Sequence, residues 1–266
     1  MVEKTERITS RENGRLIAAR KVRDGKDPAR IFIEGRRLVE EALKSQIDLD
    51  ECFVSENFRS DGLIEQVGGQ THSIIELSEK LFSTIADTDS PQGIVLIAKR
   101  PVSDRSTIES NVSSASISLT VFLKEINNPS NLGAILRTTE AAGVAGVIIS
   151  TNSADAFAAK AVRASMGAAF RIPVWYNAEF YEVLNWAAAN NLTVTACDVS
   201  AALSYTDIDW KLSRLLVFGS EAHGLDSDDL GKIQEKINIP MANQVESLNL
   251  SVSAGIILFE AKRQRA

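Results

Sequence analysis

Leu119-Thr120-Val121-Phe122-Leu123-Lys124 is a short apolar run, and Asn128-Pro129-Ser130-Asn131-Leu132-Gly133-Ala134-Ile135-Leu136-Arg137 follows it almost at once. The first run reads as a buried strand, and the alanine- and leucine-rich residues 132–142 read as a helix. Gly146-Val147-Ile148-Ile149-Ser150 is then a second strand, which makes the stretch a strand–helix–strand unit. The alternation continues outward: helix at 154–165, strand at 172–175, helix at 179–189, and strands at 193–197 and 215–218. A helix at 226–236, a short strand at 237–240 and a closing helix at 250–263 complete it. Such alternation predicts an α/β fold whose mainly parallel sheet is covered by helices on both faces. Ligands of such folds gather at the carboxyl ends of the strands.

The first hundred residues are less regular. Residues 35–43 have helical periodicity, 31–33 and 51–54 resemble short strands, and the turn Ser90-Pro91-Gln92-Gly93 leads into an apolar run at 94–98. A serine-rich tract then reaches Ser118. Its composition predicts an exposed connector, so the expected domains are 1–100 and 117–266 with a linker at 101–116.

Composition narrows the function classes. The chain has 266 residues, 44% hydrophobic and 24% charged, with a net charge of −6. No apolar run approaches the roughly 20 residues of a membrane span, and the charged N-terminus lacks the apolar core of a secretory signal. These features predict a soluble, cytoplasmic protein with no membrane partner. Cys52 and Cys197 form no C-x-x-C pair, and His72 and His223 complete no zinc spacing, so no metal is expected and the thiols should be reduced and buried. Residues 1–30 nonetheless carry nine basic side chains against five acidic ones. Arg7, Arg11 and Arg15 recur at four-residue spacing and would share one face of a helix. A solvated helix face explains them, and so does contact with RNA phosphates, which positions a nucleic acid without reading its sequence.

Neither G-x-G-x-x-G after a strand nor G-x-x-x-x-G-K-[ST] is present, which disfavours dinucleotide dehydrogenases and P-loop enzymes. S-adenosylmethionine has no phosphate, and a pocket for it can dispense with such a cradle. Three stretches fall at expected strand ends. In the first, Asn131 could cap the helix that carries Arg137, and Gly133 would cost that helix about 1 kcal/mol relative to alanine. The second, Gly219-Ser220-Glu221-Ala222-His223-Gly224-Leu225, is a glycine-flanked loop with one carboxylate. The third runs from Ile239-Pro240-Met241 to Ser247-Leu248-Asn249-Leu250-Ser251, where Ser247 or Asn249 could cap the last helix. Ser251, Ser253 and Gly255 beyond it permit close packing against another segment or a ligand.

Together, in this order and spacing, the three stretches resemble the three motifs of the SpoU (TrmH-type) branch of the SPOUT RNA methyltransferases. The resemblance spans roughly residues 117–266. Residues 5–100 are similar to that family's substrate-binding domain, an α/β fold like certain RNA-binding ribosomal proteins, marked by Phe32-Ile33-Glu34-Gly35-Arg36-Arg37-Leu38 and Ser90-Pro91-Gln92-Gly93. Ala222 and Asn243 stand where many members have glycine, which bears on loop geometry.

The resemblance implies transfer of methyl from S-adenosylmethionine to a ribose 2′-hydroxyl. It implies Asn131, Arg137, Glu221, Ser247 and Asn249 as the reaction centre, and Gly219, Ile239, Met241 and Leu248 as contacts of the cofactor. It further implies a trefoil-knotted C-terminal segment and an active site completed across a homodimer. Arg36 and Arg37 join Arg7, Arg11 and Arg15 as candidate RNA contacts. Ribosomal RNA, of the 23S guanosine 2′-O type, is favoured over tRNA as substrate. Methylation of a base and a non-catalytic RNA-binding or ribosome-assembly role are the alternatives. The guanidinium of Arg137 stays protonated in most settings, so it suits an oxyanion or phosphate better than the role of base.

Overall fold

The computed structural model describes residues 6–59, 62–71, 73–243 and 245–265. His72 and the N-terminal Lys4 lie outside these residues. The chain divides into two compact units.

The first unit contains β1 (Glu6–Ile8), α1 (Gly14–Arg23), β2 (Arg30–Glu34), α2 (Arg36–Lys44), β3 (Leu49–Ser55), α3 (Leu63–Gly68), β4 (Ile74–Leu77), α4 (Glu79–Ile85) and β5 (Ile94–Lys99). Its strands form a mixed sheet in the order β1-β4-β3-β5-β2. Residues 155–171, expected inside the 117–266 domain, cluster with this unit instead. Ala159 joins the apolar core that holds Leu16, Phe32, Phe53 and Phe82, and Arg171 pairs with Glu41 at 3.0 Å.

The arginine spacing near the N-terminus does not produce the predicted helix face. Arg7 lies in β1, Arg11 in the following turn and Arg15 in α1, so three backbone conformations separate them. The side chains are engaged as well. Arg7 pairs with Glu56 at 2.9 Å, while Arg15 pairs with Glu6 and Glu51 at 2.6 and 2.7 Å and donates to Ser73. The strand order β1-β4-β3 brings Glu76 of β4, Glu51 of β3 and Glu56 just after β3 beside these bases, an arrangement that helical periodicity could not foresee.

The second unit holds α5 (Arg105–Ser114), β6 (Leu119–Leu123), α6 (Pro129–Ala142), β7 (Gly146–Ser150), β8 (Val174–Ala178), α8 (Phe180–Ala189) and β9 (Thr193–Cys197), with α7 (Ala159–Ser165) belonging to the first. It continues with β10 (Leu203–Ser204), β11 (Arg214–Phe218), α9 (Ser227–Lys232), β12 (Glu235–Asn238) and α10 (Leu250–Arg265). The sheet runs β10-β12-β9-β11-β6-β7-β8, and every neighbouring pair is parallel. The predicted mostly parallel α/β architecture is therefore present. β6 and β11 are buried along their whole length, as strands covered on both faces must be.

Three expectations need correction. The serine-rich tract is not an exposed connector: Asp104 caps α5 by accepting from Thr107 N–H, and Ile108 and Val112 are buried in the unit's core. The helix expected at 154–165 begins only at Ala159, because Asp155 turns the chain by accepting from Phe157 N–H. The helix expected at 226–236 stops at Lys232, where Ile233 becomes extended and Glu235 and Lys236 pair with β9.

Buried Arg214 ties the middle of the sheet together. Its guanidinium donates to Thr195 Oγ1 at 2.8 Å and to Asp209 O at 2.9 and 3.1 Å, and it pairs with Glu235. One side chain thus bridges β11, β9 and β12. Among the described residues no helix is long and apolar enough to cross a membrane.

Candidate functional site

β6 and β11 are adjacent and in register, Leu123 beside Phe218, so the loops that leave their carboxyl ends emerge side by side. The loop after β6 enters α6, whose N-terminal cap is Asn128, accepting from Ser130 N–H at 2.9 Å. Asn131 is therefore not the cap but a first-turn residue, which frees its amide for other partners. Arg137 lies six positions further along α6, on a different face given 3.6 residues per turn.

The loop after β11 folds back on itself: Ser220 and Gly224 exchange backbone hydrogen bonds of 3.0 and 2.9 Å. A methyl group on Gly219 would overlap the Gly224 carbonyl carbon and the Leu225 nitrogen, so this position requires glycine. Gly224 takes a positive φ of 67°. Ala222 is not in the left-handed region, which explains why alanine is accommodated there. Asn243 is, at φ 57°, a conformation that asparagine tolerates better than most residues and that suits the glycine common at this place.

The three stretches converge through hydrogen bonds. Glu221 accepts from the backbone N–H groups of Asn127 and Asn128 and from the side-chain amide of Asn131, each at 3.2 Å. Asn131 Oδ1 in turn accepts from Asn249 Nδ2 at 3.1 Å. Asn249 Oδ1 receives Ser251 N–H at 2.9 Å, making Asn249 the residue that caps α10. Partial burial pushes the Glu221 carboxyl upward, but its own backbone N–H together with these donors outweighs it and holds its pKa below the ordinary value. The carboxylate is thus an ionised acceptor, fixed by its neighbours.

This network lies at a cavity of about 610 Å³, within the range of small-ligand sites. Asn131, Gly219, Glu221, Ile239, Met241, Ser247, Leu248 and Asn249 all line it. Arg137 does not; it is exposed on α6 and makes no hydrogen bond or ion pair with the described residues. Sequence reading missed Cys197, Asp198 and Glu246, which also line the cavity. The first two follow from position alone, at the end of β9. Desolvation pushes the Cys197 thiol upward, so it contributes an uncharged wall. Also missed was Lys124, at the end of β6, which bonds to Asp226 at 3.0 Å and to Asp229. Burial lowers the pKa of Lys124 but the two acids raise it further, and the net shift is upward. Because Asp226 caps α9, this lysine anchors the segment that follows the Gly219–Leu225 loop.

Residues 118–259 match the model of the SpoU rRNA Methylase family. The chain belongs to this family. Residues 14–96 match the MRM3-like substrate binding domain. The 23S rRNA (guanosine(2553)-2′-O)-methyltransferase RlmP of Bacillus subtilis is 30% identical over 231 residues, which cover 87% of this chain and 88% of that protein. Among solved structures, the AdoMet-bound rRNA methyltransferase of Sinorhizobium meliloti is 28% identical with a TM-score of 0.84, covering 98% of this chain and 99% of that one. A structure described as an RNA 2′-O ribose methyltransferase is 30% identical with a TM-score of 0.81, covering 97% and 99%.

The chain is accordingly an RNA methyltransferase of the SpoU type, and its cofactor is S-adenosylmethionine. The cavity fits that group. It is lined by Asp198, Glu221 and Glu246 and by no lysine or arginine among the described residues, which suits a ligand with cationic ammonium and sulfonium groups rather than phosphates. The Oδ1 of Asn238, on the same wall, is buried without a hydrogen-bond partner among the described residues. Such an acceptor can take a donor from a bound ligand or a water.

Proposed function

We propose that the enzyme methylates a ribose 2′-hydroxyl in ribosomal RNA, of the 23S guanosine 2′-O type, with residues 117–266 carrying the chemistry and residues 1–100 binding RNA. The observation that carries this reading is the Glu221–Asn131–Asn249 network at the mouth of a cavity whose donor set suits the cofactor. The similarity to the Bacillus subtilis enzyme supports the ribosomal substrate. A cytoplasmic location accords with such a substrate.

S-adenosylmethionine supplies an electrophilic methyl on its sulfonium. Gly219, Ile239, Met241 and Leu248 would hold it, largely through backbone groups. Asn131, Ser247 and Asn249 would align the ribose, and Glu221 would fix their orientation. Alignment should supply much of the rate, since the 2′-oxygen must attack the sulfonium methyl in line. As the O–C bond forms and the S–C bond breaks, the hydroxyl proton would pass to water, and Arg137 would stabilise the developing oxyanion or the adjacent phosphate with its fork of donors.

Arg137 faces away from its own network, and the reading therefore includes a homodimer in which Arg137 of one copy completes the site of the other. Exposed Val252 and Phe259, seven residues apart on α10, support a face that a second copy would cover. A deep trefoil knot in the C-terminal segment is part of the same reading.

The test is methyl transfer from labelled cofactor to separated ribosomal and transfer RNA, followed by mapping of nuclease- and alkali-resistant dinucleotides. A single 2′-O-methyl site in 23S rRNA is the expected result. Label confined to tRNA, or to a base, would replace it. Mixing Arg137→Ala with Asn249→Ala protein tests the shared site: activity should reappear in the mixed dimers.

A further inference from the structure

Residues 32–38 and 90–93, the two stretches that mark the first unit, meet around a second cavity. Gln92 Oε1 accepts the Arg36 N–H at 2.8 Å, and Gly93 O accepts Ser55 N–H at 2.9 Å. Gly35 and Gly93 both take positive φ, 98° and 83°. At Gly93 this brings the backbone against Phe58, where an added Cβ would lie 3.4 Å from the Phe58 Cβ. Phe58 N–H donates to Ser55 O at 2.9 Å, which fixes the turn that carries the ring. The result is a cavity of about 350 Å³ lined by Arg36, Arg37, Asn57, Phe58, Arg59 and Gln92.

This lining differs from that of the cofactor cavity in its charge: arginines stand here where the other has carboxylates. It holds three guanidinium groups, one half-buried aromatic ring and two primary amides, with no carboxylate among the described residues. Arg36 is engaged with Glu40 at 3.2 Å. Arg37 and Arg59 are exposed and make no ion pair with described residues, in contrast to Arg7 and Arg15. Cations next to an aromatic face and amide groups form a set that takes phosphate, base plane and base edge together. The volume is near the lower bound for ligand sites, about 300 Å³. It is of the size of one nucleotide.

We propose that this cavity seats a single unpaired RNA nucleotide, with its base on Phe58, its phosphate on Arg37 and Arg59, and its edge read by Asn57 and Gln92. The first unit then selects single-stranded or looped-out RNA over duplex. A base within A-form RNA has both faces covered by its neighbours, so only a splayed base can reach the ring. The inference rests on the reading of the chain as an RNA-modifying enzyme, and it adds a place and a conformation for recognition.

The test uses the full-length protein, a single-stranded RNA nonamer with a central 2-aminopurine, and the same nonamer in a blunt duplex. The single strand should bind more tightly and lose fluorescence on binding, and the duplex should not. Phe58→Ala should weaken single-strand binding about tenfold and abolish the quenching, as loss of a base-stacking platform does. Phe58→Trp should restore both, which separates stacking from folding. Arg37→Gln and Arg59→Gln should each flatten the salt dependence by about 0.7 in log–log slope. Unchanged affinity and quenching in Phe58→Ala, or equal binding of the duplex, would overturn the proposal. Calorimetric titration with S-adenosylmethionine keeps the two readings apart: cofactor binding and RNA methylation that persist regardless of Phe58 would refute the nucleotide seat alone.

Discussion

At one edge of the first unit, Arg7 and Arg15 are satisfied by Glu56, Glu6 and Glu51, acids that the strand order brings beside them. At the strand ends of the second unit, Glu221, Asn131 and Asn249 also satisfy one another across about a hundred residues of chain, yet they do so around an open cavity. Both regions are polar and hydrogen-bonded. What distinguishes them is the space each leaves. A pair of opposite charges closed on itself at the surface adds little, whereas a fixed network facing a cavity is preorganised for a ligand.

The contrast can be broken at several depths. The largest effect is expected inside the sheet that supports the cavity. Arg214→Ala removes the partner of Glu235 and should destabilise the protein by about 3 kcal/mol, the scale for breaking a buried pair. Arg214→Met with Glu235→Leu should recover most of that loss. Denaturant melts of the single and double variants check both.

Gly219→Ala should weaken S-adenosylmethionine binding by roughly 100-fold, because the added methyl overlaps the backbone of the returning loop and about 1–3 kcal/mol of overpacking falls on the cavity wall. Calorimetry reads this directly, and near-native affinity would show that the loop can open without cost.

Glu221 gives a pH signature. Its folded pKa is depressed, so its contribution is complete above the ordinary value of 4.5 and is lost only as pH falls through the lower folded value. Folding stability should therefore be insensitive to this group from neutral pH down to about 5 and decline below its ordinary range, as denaturant melts across pH would show. Glu221→Gln should flatten the acid limb.

The smallest effect is expected at the N-terminal edge. Arg7→Ala should change stability by less than about 1 kcal/mol, as exposed ion pairs do, with a thermal melt as the readout.

Much of this was legible in the sequence, and the reasons for the exceptions are physical. The alternation around β6, α6 and β7 fixed the fold class because buried parallel strands leave continuous apolar runs. Eight of the nine residues expected in the centre and cofactor site line the cavity, since their motifs follow strand ends. Asn131 was misplaced as a cap because Asn128, three residues earlier, is equally suited to the role. The tract of residues 103–118 looks like a connector because serine-rich composition hides Ile108 and Val112, which with the bonds of Glu109 to Trp186 and Asn111 to Ala145 pin a short helix. The pairing of Arg7 and Arg15 was invisible because it depends on which strands are neighbours, a long-range fact absent from local spacing. Arg137 lies beyond reach of its own network for a related reason: a helix turns residues of one motif onto different faces.

The central claim is that three distant stretches act as one centre, and a double-mutant cycle on methyl transfer tests it most directly. Glu221→Gln, Asn249→Ala and the double variant would be compared by kcat/KM on RNA. The network predicts that the double variant is scarcely worse than the more damaging single variant, because either change disables the same unit. Losses that simply add would mean that the two residues act independently, and would contradict the account.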